Sequence, residues 1–144
     1  MTAPYIDTSA LAKWYLNEPQ SENFENFIAR QTSAAIGRLT VVEFRCLLAR
    51  RRRAGEITKS IEAKVYDTFA DDIRAGVFAV HPLHDDHALA AVRLISRLNN
   101  HPLRTLDALH LAIALELEAQ TLATADRIIA SAGKELGFDV AALF

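Results

Sequence analysis

"PYIDTSALAKWYL", residues 4–16, decides the fold. Tyr5 and Ile6 precede a polar stop at Asp7, and Leu11, Trp14 and Tyr15 then fall at helical spacing. A short strand that ends on an acid and turns straight into a helix is half of a βαβ unit, and the pattern recurs along the chain. "SAAIG" (33–37) reads as a second strand, with Thr40 opening a long helix through "VVEFRCLLARRRRA" that closes near Gly55. "VFAVHPL" (77–83) is a third strand, stopped by Pro82; "QTLATAD" (120–126) is a fourth and "FDVAAL" (138–143) a short fifth. Between them lie helices over "SENFENFIAR" (21–30), over Ile61, Val65, Phe69 and Ile73 after a Thr58 or Ser60 start, over "LRTLDALHLAIALE" (103–116) and over "RIIASAGKEL" (127–136). Another, capped by Asp85 or Asp86, aligns Leu89, Val92, Ile95 and Leu98. The alternation predicts an α/β fold with a small parallel sheet covered on both faces. Strand order does not follow from it.

At 144 residues the chain suits a single domain spanning 1–144, and 51% hydrophobic content argues against disorder. No apolar run reaches the roughly 18 residues of a membrane span. "MTAPYIDTSA" has neither a basic n-region nor an apolar h-region, so no signal peptide is expected. Cys46, the lone cysteine, permits no internal disulfide and reads as a core thiol; a cytoplasmic location follows. A net charge of −2 excludes a strongly basic nucleic-acid coat. Gathering four of the 18 acids into one site would leave 14 against 16 Lys and Arg, a mildly basic remainder.

Those acids have a place to gather. Sites in open α/β sheets form beyond the carboxyl ends of the strands. Asp7 directly follows the first strand and Asp126 the fourth, while Glu43 lies in the first turn of the helix after the second. Asp107 shares a helix face with Leu103, Leu111 and Ala114, where a lone carboxylate is costly to bury. No strand precedes its helix, so order alone does not put it at the same edge. Clustered carboxylates repel, and a divalent cation reverses that penalty. Mg²⁺ and Mn²⁺ prefer oxygen ligands, and such ions activate water and stabilise the leaving oxygen of a phosphodiester.

Simpler roles compete. Asp7 and Asp126 can cap the helices that follow them. Thr40-x-x-Glu43 has the form of a capping box, which would turn Glu43 away from a metal. The helix dipole, worth about 0.3–1 kcal/mol, is too small to justify Asp107 against a burial cost of several kcal/mol. Arg50, Arg51, Arg52 and Arg53 either solvate a helix end or contact RNA phosphates. Arg104, a turn before Asp107, can hold an acid or a phosphate. Trp14 and Tyr15 suit core or dimer packing more than base stacking. His84 and His87 lack a third zinc ligand, and His110 reads as a hydrogen-bonded helix residue rather than a general base.

"YIDTSALAKWY", "TVVEFRCLLAR", "LRTLDALHLAIAL" and "LATADRIIASAGKELGFDV" resemble, in order and spacing, the four motifs of PIN-domain nucleases. Length and ending are most similar to VapC toxins of type II toxin–antitoxin pairs. The resemblance implies a three-layer α/β/α fold with sheet order 3-2-1-4-5. By position Asp7, Glu43, Asp107 and Asp126 match the family's catalytic, metal-binding acids, and Ser9 and Thr124 its hydroxyl positions beside the first and last. It implies hydrolysis of RNA with one or two Mg²⁺ or Mn²⁺ ions, leaving a 5′-phosphate and a 3′-hydroxyl, on a target such as a tRNA or rRNA loop. It also implies a homodimer restrained by a VapB-type antitoxin that can push an Arg or Lys at the acids. Residues 55–101 carry no diagnostic motif. An RNA-processing nuclease without antitoxin and a non-catalytic interaction module remain alternatives.

Overall fold

Period-two alternation splits the core into two layers. In the two-residue strand β1 (Tyr5–Ile6) both side chains are fully buried, Tyr5 in one apolar cluster and Ile6 in the other. A strand so short and so buried belongs at the centre of a sheet, and β1 lies there in the computed structural model, which describes residues 2–144. After β1 come α1 (Thr8–Tyr15), α2 (Ser21–Ala29), β2 (Ala35–Gly37), α3 (Arg38–Arg53), α4 (Lys59–Arg74) and β3 (Ala79–His81). Then follow α5 (Asp85–Arg97), α6 (Thr105–Glu116), β4 (Thr121–Thr124), α7 (Arg127–Glu135) and β5 (Asp139–Ala142). All pairings are parallel, in the order β3-β2-β1-β4-β5. The expected three-layer α/β/α fold and 3-2-1-4-5 order are both present.

On one face, Leu11 of α1, Phe24 of α2, Phe44 and Leu48 of α3 and Phe69 of α4 pack with Ile6 and Ile36. Phe69 meets Tyr15, Phe44 and Phe78 edge-on, and Trp14 meets Phe24 in the same way. Trp14 and Tyr15 therefore serve the core. The opposite face joins Leu94 of α5, Leu111 and Ile113 of α6 and Ile129 of α7 to Tyr5 and Leu122.

Several local expectations change. Helix α3 begins at Arg38 rather than Thr40, because Gly37 in extended conformation already ends β2. Thr58 caps α4 through Ile61 N–H. Neither Asp85 nor Asp86 caps α5; His84 holds that position, and its N–H donates to His87 Nδ1 at 2.9 Å. His87 Nε2 pairs with Glu116, so the ring is committed to holding α5 on α6. Cys46 is exposed, not a core thiol, because the buried stripe of α3 runs through Val41, Phe44, Leu47 and Leu48. On α5 the buried face carries His87, Ala91 and Leu94, whereas Leu89, Val92 and Ile95 face outward, Val92 at 63% exposure. No helix among the described residues is long and apolar enough to cross a membrane.

Candidate active site

Strand order reverses between β1 and β4, and the crevice beyond their carboxyl ends is where such sheets bind ligands. Asp7 leaves β1 there with its N–H on Ala123 O at 3.2 Å. Its carboxylate is divided between two tasks. Oδ1 caps α1 by accepting from Ala10 N–H at 2.9 Å and also takes the Ser9 hydroxyl at 2.7 Å. Oδ2 accepts from Thr124 Oγ1, which in turn accepts from Asp126 N–H at 2.9 Å. Asp126 is divided likewise: Oδ1 caps α7 through Ile128 and Ile129 N–H, while Oδ2 faces Arg104. Capping and site duty are thus compatible, one oxygen each.

Asp107 is the third turn-forming position of α6, and it reaches back to Arg104 N–H at 2.9 Å, satisfying an orphan donor of the helix start. The Arg104 guanidinium returns to it through Nε and Nη2 at 3.0 and 3.3 Å and spans to Asp126 Oδ2 at 2.8 Å. One cation therefore joins the two acids, and the structure answers the question of Asp107's edge: it lies beside Asp126. The Asp107 hydrogen bonds and the field of both acids raise the guanidinium's affinity for its proton.

Glu43 is not in a capping box. With α3 starting at Arg38, Thr40 Oγ1 accepts from Gly37 N–H instead, and Glu43 turns toward α1 and α6. Its Oε1 accepts from Thr8 Oγ1 at 2.9 Å and from His110 Nε2. Since a carboxylate only accepts, Nε2 carries a hydrogen; in the singly protonated ring, Nδ1 accepts from the Tyr5 hydroxyl at 2.7 Å. Burial raises the Glu43 carboxyl, but His110, Thr8 and Arg104 outweigh it and hold it below its ordinary range. For Asp7 burial wins: at 1% exposure its carboxyl is pushed up despite His110, Thr124, Ala10 and Ser9.

Thr8, Tyr5 and His110 were not read from the sequence as site residues. His110 lies at i+3 from Asp107, the same helix face, and that spacing was the available signal. The arginine run divides. Arg51 binds Glu18 at 3.0 Å and Glu56 at 3.3 Å, and Arg52 binds Glu62 at 2.8 Å, so neither is offered to the acidic edge. Arg53 is exposed at the helix end, and Arg50 lines a cleft with Ser9 and Glu43.

Among the described residues no three acidic, histidine or cysteine side chains form a ready metal cage; the positive charge within the edge is Arg104. The donor chemistry nevertheless suits a hard divalent ion: carboxylate oxygens only, one of them desolvated, and a cation already drawn between two others.

A parallel sheet with acids gathered at its switch point defines the class: an α/β protein with an acidic edge beyond β1 and β4. The chain belongs to the PIN-domain family, whose model matches residues 5–135. Its fold is similar to that of VapC20 from Mycobacterium tuberculosis, described as a sarcin-ricin loop cleaving toxin (TM-score 0.73, 18% identity, 91% of this chain and 95% of that one). It is also similar to FitAcB from Neisseria gonorrhoeae (TM-score 0.73, 17% identity, 94% of both chains). VapBC2 from Rickettsia felis, bound to a DNA fragment from its promoter, shares it at TM-score 0.66 and 15% identity over 96% of each chain. No curated protein matches the sequence.

Proposed function

We propose that this protein is a metal-dependent endoribonuclease, the toxin of a toxin–antitoxin pair. One observation carries the reading: three aspartates from β1, α6 and β4 ends are wired together at the switch point by Thr124 and Arg104. Family membership and a fold similar to that of the toxin VapC20 support it. Mg²⁺ or Mn²⁺, when bound, supplies charge for an attacking water and for the leaving oxygen of the phosphodiester.

Asp7, Asp107 and Asp126 would hold the ion. Ser9 and Thr124 fix the rotamer of Asp7 with one hydrogen bond to each oxygen, and such outer partners matter for ligand orientation. Glu43, bonded by His110 and Thr8, would orient the ion or its water from the α3 side. Arg104 neutralises part of an edge that would otherwise repel a phosphodiester.

The outward apolar face of α5, with Leu89, Val92 and Ile95, supports a homodimer or an antitoxin contact. A VapB-type antitoxin, an RNA target such as tRNA or rRNA, and a cytoplasmic setting complete the proposal.

Incubating mixed cellular RNA with the protein tests it. Cleavage is expected with Mn²⁺ or Mg²⁺, none with EDTA, and a loss on the order of 100-fold or more in Asp7→Asn, beyond what outer partners of metal ligands cost. Metal-stimulated cleavage that survives Asp7→Asn would remove the site assignment. Absence of cleavage of any RNA would favour a non-catalytic module.

A further inference from the structure

Four successive arginines point all round a helix, since each residue advances about 100°. Their surroundings separate them. Arg51 and Arg52 are held by carboxylates, and Arg45 joins Arg52 on Glu62. Arg50 makes no ion pair with any described residue and stands in the wall of the cleft that holds Ser9 and Glu43. It sits seven residues after Glu43, two turns along the same face of α3, about 10 Å in axial distance.

That cleft opens directly off the acidic edge. Ser9 in its wall donates to Asp7, Glu43 is itself in the wall, and Leu106 neighbours Asp107. Leu106 is 42% exposed in the first turn of α6 and forms part of the wall of this cleft. The cleft measures about 240 Å³, below the roughly 300–1,000 Å³ of sites that enclose a small ligand. A cleft of that size can take one residue of a longer chain that continues outside it. An anionic polymer reaching Asp7 and Glu43 needs counter-charge on both sides. Arg104 provides it at the Asp107–Asp126 end, and Arg50 at the Glu43 end.

We propose that the cleft between α1, α3 and the start of α6 is a subsite for single-stranded RNA, receiving a nucleotide next to the scissile bond. Arg50 holds its phosphate and Leu106 contacts its sugar or base. This rests on the ribonuclease reading above. Single-stranded segments are the natural occupant, because their sugar and base faces are open to contact as well as their phosphates.

The test compares Arg50→Gln and Arg50→Lys with Arg30→Gln, which removes the same charge from an exposed position at the end of α2. Labelled bulk tRNA and rRNA fragments with Mn²⁺ serve as substrate. All of these positions are exposed, and thermal midpoints equal to the wild type's show that the variants are folded. Arg50→Gln is expected to raise KM about tenfold with kcat little changed, the loss of one charged contact. The slope of log KM against log salt should fall by about 0.7, the value of one phosphate on a single strand. Arg50→Lys should recover most of KM, and Arg30→Gln should match the wild type. If the wild type cleaves and Arg50→Gln behaves as Arg30→Gln does, the subsite is refuted while the ribonuclease reading stands. If the wild type cleaves no RNA, both fall together.

Discussion

Asp7 carries a charge that its buried setting opposes. Burial raises its carboxyl in the folded chain above the ordinary value of 3.8. An acid whose folded value is raised binds protons more readily folded than unfolded, so its ionised form weakens the fold as pH rises from about that value through the higher folded one. In metal-free protein Asp7→Asn should therefore raise the thermal midpoint at neutral pH, and the gain should shrink on acidification. A midpoint that falls at pH 7 in EDTA would mean that Ser9, Ala10 and Thr124 stabilise the charge more than burial opposes it. That Asp7 and Asp126 share an edge was legible because each follows a strand, and chain direction alone puts such residues at one edge. The wiring was not. Arg104 reaches Asp126 across 22 positions and His110 reaches Glu43 across 67, and packing between helices determines which side chains meet at that range.

At the scale of elements, α7 has to lie close on β4 and β5 for Asp126 to cap it over the crevice. Gly133 permits that approach: a Cβ there would stand 2.8 Å from Leu122 Cδ2, which is fully buried and has little room to move. Gly133→Ala is expected to cost about 1–3 kcal/mol, the usual penalty of overpacking, read from urea unfolding; an unchanged midpoint would show that α7 can lift off without loss. Helix α5 teaches the limit of periodicity. Leu89, Val92 and Ile95 form as good an apolar stripe as Ala91, Leu94 and Leu98, and the sequence offers no means of choosing which turns inward. Burial of His87 against Glu116 decides it, a contact with α6 that the local pattern does not encode. The capping box at Thr40 failed for a similar reason, since Gly37 ended β2 early enough for α3 to begin two residues sooner.

For the molecule as a whole, the alternation of strands and helices predicted the layers, while the strand order came from resemblance. No local signal states that β1 pairs with both β2 and β4. The outward stripe of α5 gives the whole-molecule prediction. Val92→Glu should leave the monomer folded and shift a dimer toward monomer in light scattering at micromolar concentration; a dimer that survives would assign the stripe to another partner. The link between Thr124 and Asp7 has a further consequence. The two residues are 117 positions apart, and Asp107, Thr124 and Asp126 all lie in the last third of the chain. Asp7 therefore lacks its Thr124 partner until β4 has paired with β1. On the ribonuclease proposal, β1 and β4 have to be paired before the site is assembled, so a fragment without β4 would carry no activity.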